Sequence, residues 1–490
     1  MAATAATALC LLAAATGCSS SNIPAQARTV RETGTVTLQA KCTATRCSGT
    51  RDGGKFSIQL PTTAWNGTLL IWSHAYRNAV PIPANPLNPS GGTVAVDRSA
   101  QLAPSPTVAQ DLRKKGYALA GSAFATNGWD VPDGVRADRD LYNYFSKTFG
   151  TPNRVYLWGN STGGLISQTL AEQHPEWVSA VAPMCAPLSG TNMTFDLALD
   201  VAYAVKTLID PKLQLTGFSS AQAAVRQWER ATQTLVKVAS RGDTKDVANL
   251  FAIAAIGGLP TKTDMFDGRN VTAQVEAIVQ SIVLTLATST YQRYDIEQRV
   301  GGNPSQNTGV DYGKRIGTTY DFIIGNQKRR IAQALAAGTR VSADPTARAA
   351  ADRLGDPTGS VQRPTITLHT EFDPQMIVQN ERVFAERAQQ QSGAGLLVQL
   401  FTGPPAKYSQ APYGAGNCNF TDTEYEAVVN LLDKWVRLGV YPGPLGVADA
   451  LSYSIDVTAP SGNNPTTIKN GTATTGYDAN FAPASWPGSS

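Results

Sequence analysis

The sequence predicts an α/β fold: a mostly parallel sheet flanked by helices and interrupted by an inserted helical segment. Three observations carry this reading. Apolar strand-like runs alternate with helix-like runs between residues 68 and 184, helical periodicity without strand signals fills residues 190–364, and two further strand signals with a well-capped helix follow up to Gly439. Strands separated by helices need crossover connections, and these give right-handed, parallel pairing.

The elements follow in order. Residues 68–73 form an apolar run straight after the turn pair Asn66 and Gly67 and read as a buried strand. Residues 108–115 are a helix that Gly116 ends, and residues 117–123 are the next strand. Residues 154–158 form a third strand, 162–174 a helix closed by Pro175, and 178–184 a fourth strand. In the insertion, Val225, Trp228, Ala231, Leu235 and Val238 recur at helical spacing, as do Val275, Ile278, Val279, Ile282, Val283 and Leu286. Strand signals return at 365–369 and 396–401. The last helix starts with the capping-box pair Thr421 and Glu424, presents Val428, Leu431, Leu432 and Trp435 on one face, and stops at Gly439. The chain therefore divides into an export segment at 1–18, a core at 30–189 and 365–445, a helical cap at 190–364, and an irregular tail at 446–490.

Composition narrows the function. With 42% hydrophobic and 16% charged residues, and with 43 Gly and 29 Pro in no regular period, the 490-residue chain suits a packed globular protein. A net charge of +4 is too small for a nucleic-acid partner. The body of the chain shows no run of 18 apolar residues, which argues against a membrane-spanning helix. Residues 1–15 are Ala/Leu-rich and uncharged and lead into Ala15, Thr16, Gly17 and Cys18. This reads as an export signal. Its end resembles a bacterial lipobox, with Cys18 the lipidated residue, and an ordinary secretory signal is the other reading. Either way the mature chain works outside the cytoplasm, secreted or lipid-anchored at the outside of a bacterial membrane.

Cysteine usage agrees with export. Apart from Cys10 and Cys18, the chain has Cys42, Cys47, Cys185 and Cys418, an even set in an oxidising compartment. Of three pairings, Cys42 with Cys47 closes a small loop and leaves Cys185 with Cys418. With three His and no Cys-x-x-Cys, the sequence implies no metal, and no Gly-rich phosphate loop implies a cofactor.

The chemistry concentrates at Gly159, Asn160, Ser161, Thr162 and Gly163, a G-x-S-x-G run set between a strand and a helix. A serine on such a turn projects its hydroxyl at the carboxyl edge of the sheet, and small residues on either side let the backbone bend without clash. The other reading of Ser161 is a helix cap. In this setting the sequence resembles the α/β-hydrolase superfamily, and more narrowly its secreted bacterial esterase-like members, from about residue 67 to 439. The resemblance implies Ser161 as nucleophile, Asp373 as acid in the run from Thr367 to Pro374, and an oxyanion hole from the amides of Ala75 or Tyr76 and of Thr162.

The expected base is missing. Where the family carries a histidine before the last helix, the chain has Asn417, and no histidine follows His369. An amide is not basic near neutral pH. Removing the histidine of a serine triad costs on the order of 10⁶ in turnover and leaves about 10³–10⁴ over water. His369 lies four residues before Asp373, about 13 Å away if both were extended. His74 sits on the oxyanion side, and His174 ends a helix. Trp228 and Phe251 of the cap are candidates for lining an acyl pocket, or simply for packing the cap. The function expected is carboxylic-ester hydrolysis of a small-molecule ester or hydrophobic ligand, with a non-catalytic binding protein or a peptidase as alternatives. Tannase and feruloyl esterase-like enzymes also resemble the chain in having a Cys beside the base position. Their partner Cys adjoins the serine, where this chain has Asn160.

Overall fold

The computed structural model describes residues 38–83, 93–403, 416–443, 447, 476–478 and 480–488. The export segment and Cys18 lie outside the described residues, as do Gly414, Ala415 and most of the tail. The described chain builds an α/β fold around one sheet of ten strands: β1 Leu38–Cys42, β2 Arg46–Arg51, β3 Gly54–Gln59, β4 Thr68–Ser73, β5 Ala118–Ser122, β6 Arg154–Asn160, β7 Ala180–Met184, β8 Thr365–Thr370, β9 Leu397–Gly403 and β10 Gly476–Tyr477. Their order across the sheet is β1-β2-β3-β5-β4-β6-β7-β8-β9-β10. Pairing is parallel from β5 through β9 and antiparallel at both ends.

Alternation along β4 shows why this centre is stable. Leu69 and Ile71 pack into one apolar cluster with Leu141, Phe145 and Leu170. Leu70 and Trp72 pack into another with Leu112, Val428 and Leu432. Both faces are therefore covered by helices, and the strand reads as a continuous apolar run because neither face meets water. Each such side chain, fully buried, contributes about 1.5–3 kcal/mol.

Several bounds differ from the sequence reading by a residue or two, with helices at Pro106–Lys114 and Thr162–Gln173 and β7 beginning at Ala180. Three elements had no clear signal. The β1–β3 meander is half polar, so its pairing has no apolar run to announce it. Helix Val131–Phe149 begins Val131, Pro132, Asp133, Gly134, residues that read as a turn, although Pro near a helix start is well tolerated. Helix Gln379–Gln390 is mostly polar. The last helix, Asp422–Leu438, has the expected reciprocal cap: Glu424 N–H donates to Thr421 Oγ1 at 3.0 Å and Thr421 N–H to Glu424 Oε2 at 2.6 Å.

Between β7 and β8 the described residues are helical and irregular, without strands. Both predicted apolar stripes, Val225 to Val238 and Val275 to Leu286, meet in one cluster there. One helical run, Val271–Val300, is the longest apolar helix among the described residues, although it holds no unbroken run of 18 apolar residues. Its best 18-residue window has mean hydropathy 1.4, long and apolar enough to cross a membrane by length and composition, but 67% of that window is buried within the protein. Interspersed Thr, Ser and Gln interrupt a strictly apolar run without lowering the average much. Trp228 and Phe251 are also core. Trp228 Nε1 donates to the Val283 carbonyl at 2.9 Å, and Phe251 packs edge-on against Tyr320. Both belong to the buried cluster of this segment. At the tail, expected to be irregular, Gly476–Tyr477 adds a two-residue strand to β9 because the β9 edge offers unpaired backbone groups.

Candidate functional site

The carboxyl ends of β4, β6, β7 and β8 converge on one rim. Ser161 follows β6 with φ 52° and ψ −121°, a backbone state costly for any side-chain-bearing residue. Two glycines permit the bend. A Cβ on Gly163 would stand 2.0 Å from the Ser73 carbonyl oxygen, and one on Gly159 2.6 Å from the same atom. The Ser161 amide donates to the Met184 carbonyl at 2.9 Å. Its side chain makes no capping hydrogen bond to the helix it precedes, so the helix-cap reading of this serine fails. Ser161 is 5% exposed.

Asp373 is brought close by the turn after β8. Its Oδ1 accepts from the Gln375 and Met376 amides, each at 2.8 Å, and its Oδ2 accepts from Asn417 Nδ2 at 2.8 Å. Asn417 and Asp373, far apart in sequence, are thus in direct contact through the amide. Cys418, the next residue, is bonded to Cys185, and Cys185 follows Met184, whose carbonyl holds Ser161. The second disulfide joins Cys42 and Cys47 across β1 and β2. A continuous path of bonds therefore ties Ser161, Asn417 and Asp373 to one rim.

Asn160 takes the place next to the serine. Its Nδ2 donates to the Tyr425 hydroxyl, which in turn donates to the Cys418 carbonyl at 3.2 Å. Asn160, Cys418 and Tyr425 line a cleft of about 160 Å³ together with Trp72, Ala75 and Phe420. Ala75 faces this cleft, while the Tyr76 ring packs the other way, against the cluster of Phe124, Trp129 and Ile166. Burial and the nearby Asp295 carboxylate keep the Tyr76 phenol protonated.

The three histidines have other duties. His369 was expected to lie far from Asp373, but the chain turns at Glu371 and Phe372 and places His369 Nε2 3.5 Å from Asp373 Oδ2. Its Nε2 also meets the Met376 carbonyl at 2.8 Å, and its Nδ1 meets Glu381 Oε1 at 3.1 Å. Both ring nitrogens face acceptors, so both carry protons and the ring is an imidazolium. Burial works against that charge, but the hydrogen bonds and charges of Asp373 and Glu381 outweigh it and lift the pKa to about 10. A ring already protonated on both nitrogens cannot take a proton from Ser161. His74 is the opposite case. Burial and the Arg77 charge lower its pKa to about 4, its Nδ1 meets the Ala75 carbonyl at 2.7 Å, and its ring stacks on Phe124 at 4.2 Å. It props the loop as a neutral ring. His174 ends its helix beside Glu176.

Two buried acids at the site had no sequence signal. Glu381 accepts from Thr367, Gln399 and His369. Asp138, under the end of β4, accepts from Ser73 Oγ at 2.5 Å, and burial lifts its pKa to about 7 against the pull of that hydrogen bond. Each sits on a helix that the sequence did not announce.

No family model matches the chain, and no curated protein matches it. Among solved structures it is similar to feruloyl esterase B from Aspergillus oryzae, at 14% identity and TM-score 0.39, covering 81% of each chain. It is similar to the ligand-bound rice cell wall degrading esterase LipA from Xanthomonas oryzae, at 14% identity and TM-score 0.31, covering 75% of this chain and 81% of that one. A serine hydrolase, CCSP0084, from the polyaromatic hydrocarbon-degrading bacterium Cycloclasticus zankles, aligns at 11% identity and TM-score 0.32 over 83% of this chain and 98% of that one.

Proposed function

We propose that this chain is an exported serine hydrolase-like protein of the carboxylic-ester type, with Ser161 as the acyl-forming nucleophile, Asp373 as the acid, and Asn417 in the place of the base. The amides near Ala75 and of Thr162 are the oxyanion donors in this reading, and residues 190–364 form the cap. The observation that carries it is the Asn417 Nδ2 to Asp373 Oδ2 hydrogen bond at 2.8 Å on the loop tied to the serine's rim by Cys185–Cys418. In this reading a proton acceptor at position 417 is what the arrangement lacks. The strained backbone of Ser161, retained without a capping role, supports a chemical use of its hydroxyl. Two disulfides fit an oxidising location, as the export signal and lipobox reading requires. A small-molecule ester or hydrophobic ligand is the partner in this reading, and attachment to a membrane surface is through a lipid on Cys18 at most.

Without a base, turnover rests on oxyanion stabilisation and binding, about 10³–10⁴ over water. A non-hydrolytic binding protein is the second reading, favoured by the way Asn417 satisfies Asp373 without leaving a basic atom. The test is Asn417→His with short acyl nitrophenyl esters as substrates. Turnover should rise by at least about a thousandfold and vanish again when Ser161→Ala is added. A folded Asn417→His variant that gains nothing rejects the esterase reading. Ligands recovered intact from the unaltered chain would then favour binding.

A further inference from the structure

The segment joining helices Thr244–Gly257 and Val271–Ala287 reaches the rim of the candidate site. Lys262 stands 4.7 Å from the centroid of the Phe372 ring, next to Asp373. Asp264 goes further. Its Oδ2 accepts from Asn419 Nδ2 at 3.2 Å and its Oδ1 from Gln280 Nε2 at 2.8 Å. Gln280 is itself fixed, because its Oε1 accepts from Thr263 Oγ1 at 2.5 Å. A Cβ on Gly416 would stand 2.5 Å from Asp264 Oδ2, so that carboxylate lies directly against the turn that carries Asn417. Asp264 is 8% exposed. Burial holds its carboxyl above the ordinary range, the Gln280 hydrogen bond pulls it back, and the Asp373 charge pushes it up again.

Position 417 is thus flanked by carboxylates from two parts of the chain: Asp373 from the core, in direct contact, and Asp264 from the insertion, against the neighbouring glycine. Among the described residues, the other charges nearby are engaged elsewhere. The His369 imidazolium lies behind Asp373 with Glu381, Lys262 covers Phe372 near Glu371, Asp422 accepts from Ser105, and Glu424 closes the Thr421 cap.

We propose that Asp264 is a positioning residue for position 417: through Asn419 and Gly416 it holds the turn against Asp373, and its charge sets the proton affinity of a base placed there. This rests on the ester-hydrolase reading of the rim. A nearby opposite charge favours a protonated imidazole, typically by a unit or more at about 4–6 Å.

The experiment uses the full chain carrying Asn417→His, with the new imidazole followed by NMR titration and by the pH profile of kcat/KM. Adding Asp264→Asn removes the charge and keeps one of the two acceptor oxygens, so that the contact to either Gln280 or Asn419 is given up. The new imidazole is then expected to titrate about one pH unit lower, and the acid limb of the profile to move the same way, with thermal melts showing that the variant is folded. Asp264→Glu should restore most of the shift. An imidazole that titrates at the same pH with and without the Asp264 charge overturns the proposal. Because NMR reads the ring without turnover, a shifted imidazole in an inactive protein supports this inference while rejecting the esterase reading. An unshifted one in an active protein does the reverse. In the unaltered chain, Asp264→Ala should shift the Asn417 side-chain amide resonances, and unchanged resonances overturn the positioning role.

Discussion

His369 offers the sharpest test of the electrostatics under the site. The ring is fully buried, donates from Nδ1 to Glu381 at 3.1 Å and from Nε2 to the Met376 carbonyl at 2.8 Å, and lies 3.5 Å from Asp373. A pKa raised from 6.5 to about 10 means that the folded state holds the proton more tightly than the unfolded chain does. The resulting stability is fully present below pH 6.5 and is lost as pH rises through about 10. At roughly 1.4 kcal/mol per unit, the whole span is on the order of 5 kcal/mol. The perturbation is His369→Gln, which leaves Glu381 and Asp373 without a cation, and urea unfolding is measured at pH 7, 8.5 and 10. Near pH 7 the variant should be less stable than the unaltered protein by several kcal/mol, as expected when one partner of a buried charge pair is removed. The gap should close as pH approaches 10. An NMR signature of a doubly protonated ring persisting at pH 8.5 is the companion observation. A gap that is the same at pH 7 and pH 10, or a ring that titrates near its ordinary pH, refutes the charged-histidine account.

Two further outcomes test other parts of the structure. Asp138, lifted to about 7 by burial, loses its stabilising protonated state as pH rises from 3.8 through 7. Asp138→Asn should therefore gain a few kcal/mol relative to the unaltered chain between pH 5 and pH 8, by thermal melts, and an equal difference at both pH values contradicts this. Gly163→Ala drives a methyl into the Ser73 and His74 carbonyls at 2.0 and 2.5 Å, so it should cost about 1–3 kcal/mol or more. Gly395→Ala, whose methyl meets nothing within 4 Å, is the control and should melt at or slightly above the unaltered temperature.

The legible parts of this protein were those with strong local physics. β4 is apolar on both faces because it is covered on both, so its span Thr68–Ser73 was readable to the residue. The Thr421 capping box and the stripes around Val225 and Val275 likewise satisfy their own geometry within a few turns. The bend at Ser161 was readable because only small residues fit at Gly159 and Gly163. Asp138, Glu381 and Asp264 were not readable. Each is an ordinary acidic residue in a polar or Gly/Pro-bearing stretch until packing removes its water.

By itself, the sequence determined the α/β pattern, the helical insertion, the bend at Ser161 and the absence of any histidine after His369, because these depend on residue type and on spacing along one element. Only the tertiary structure decided that Asn417 bonds Asp373, that the His369 ring is an imidazolium wedged between two acids, and that a loop of the insertion presses Asp264 against the same turn. Charge and hydrogen-bond partnership are properties of groups brought together from distant positions after water has been excluded, and no local pattern encodes them.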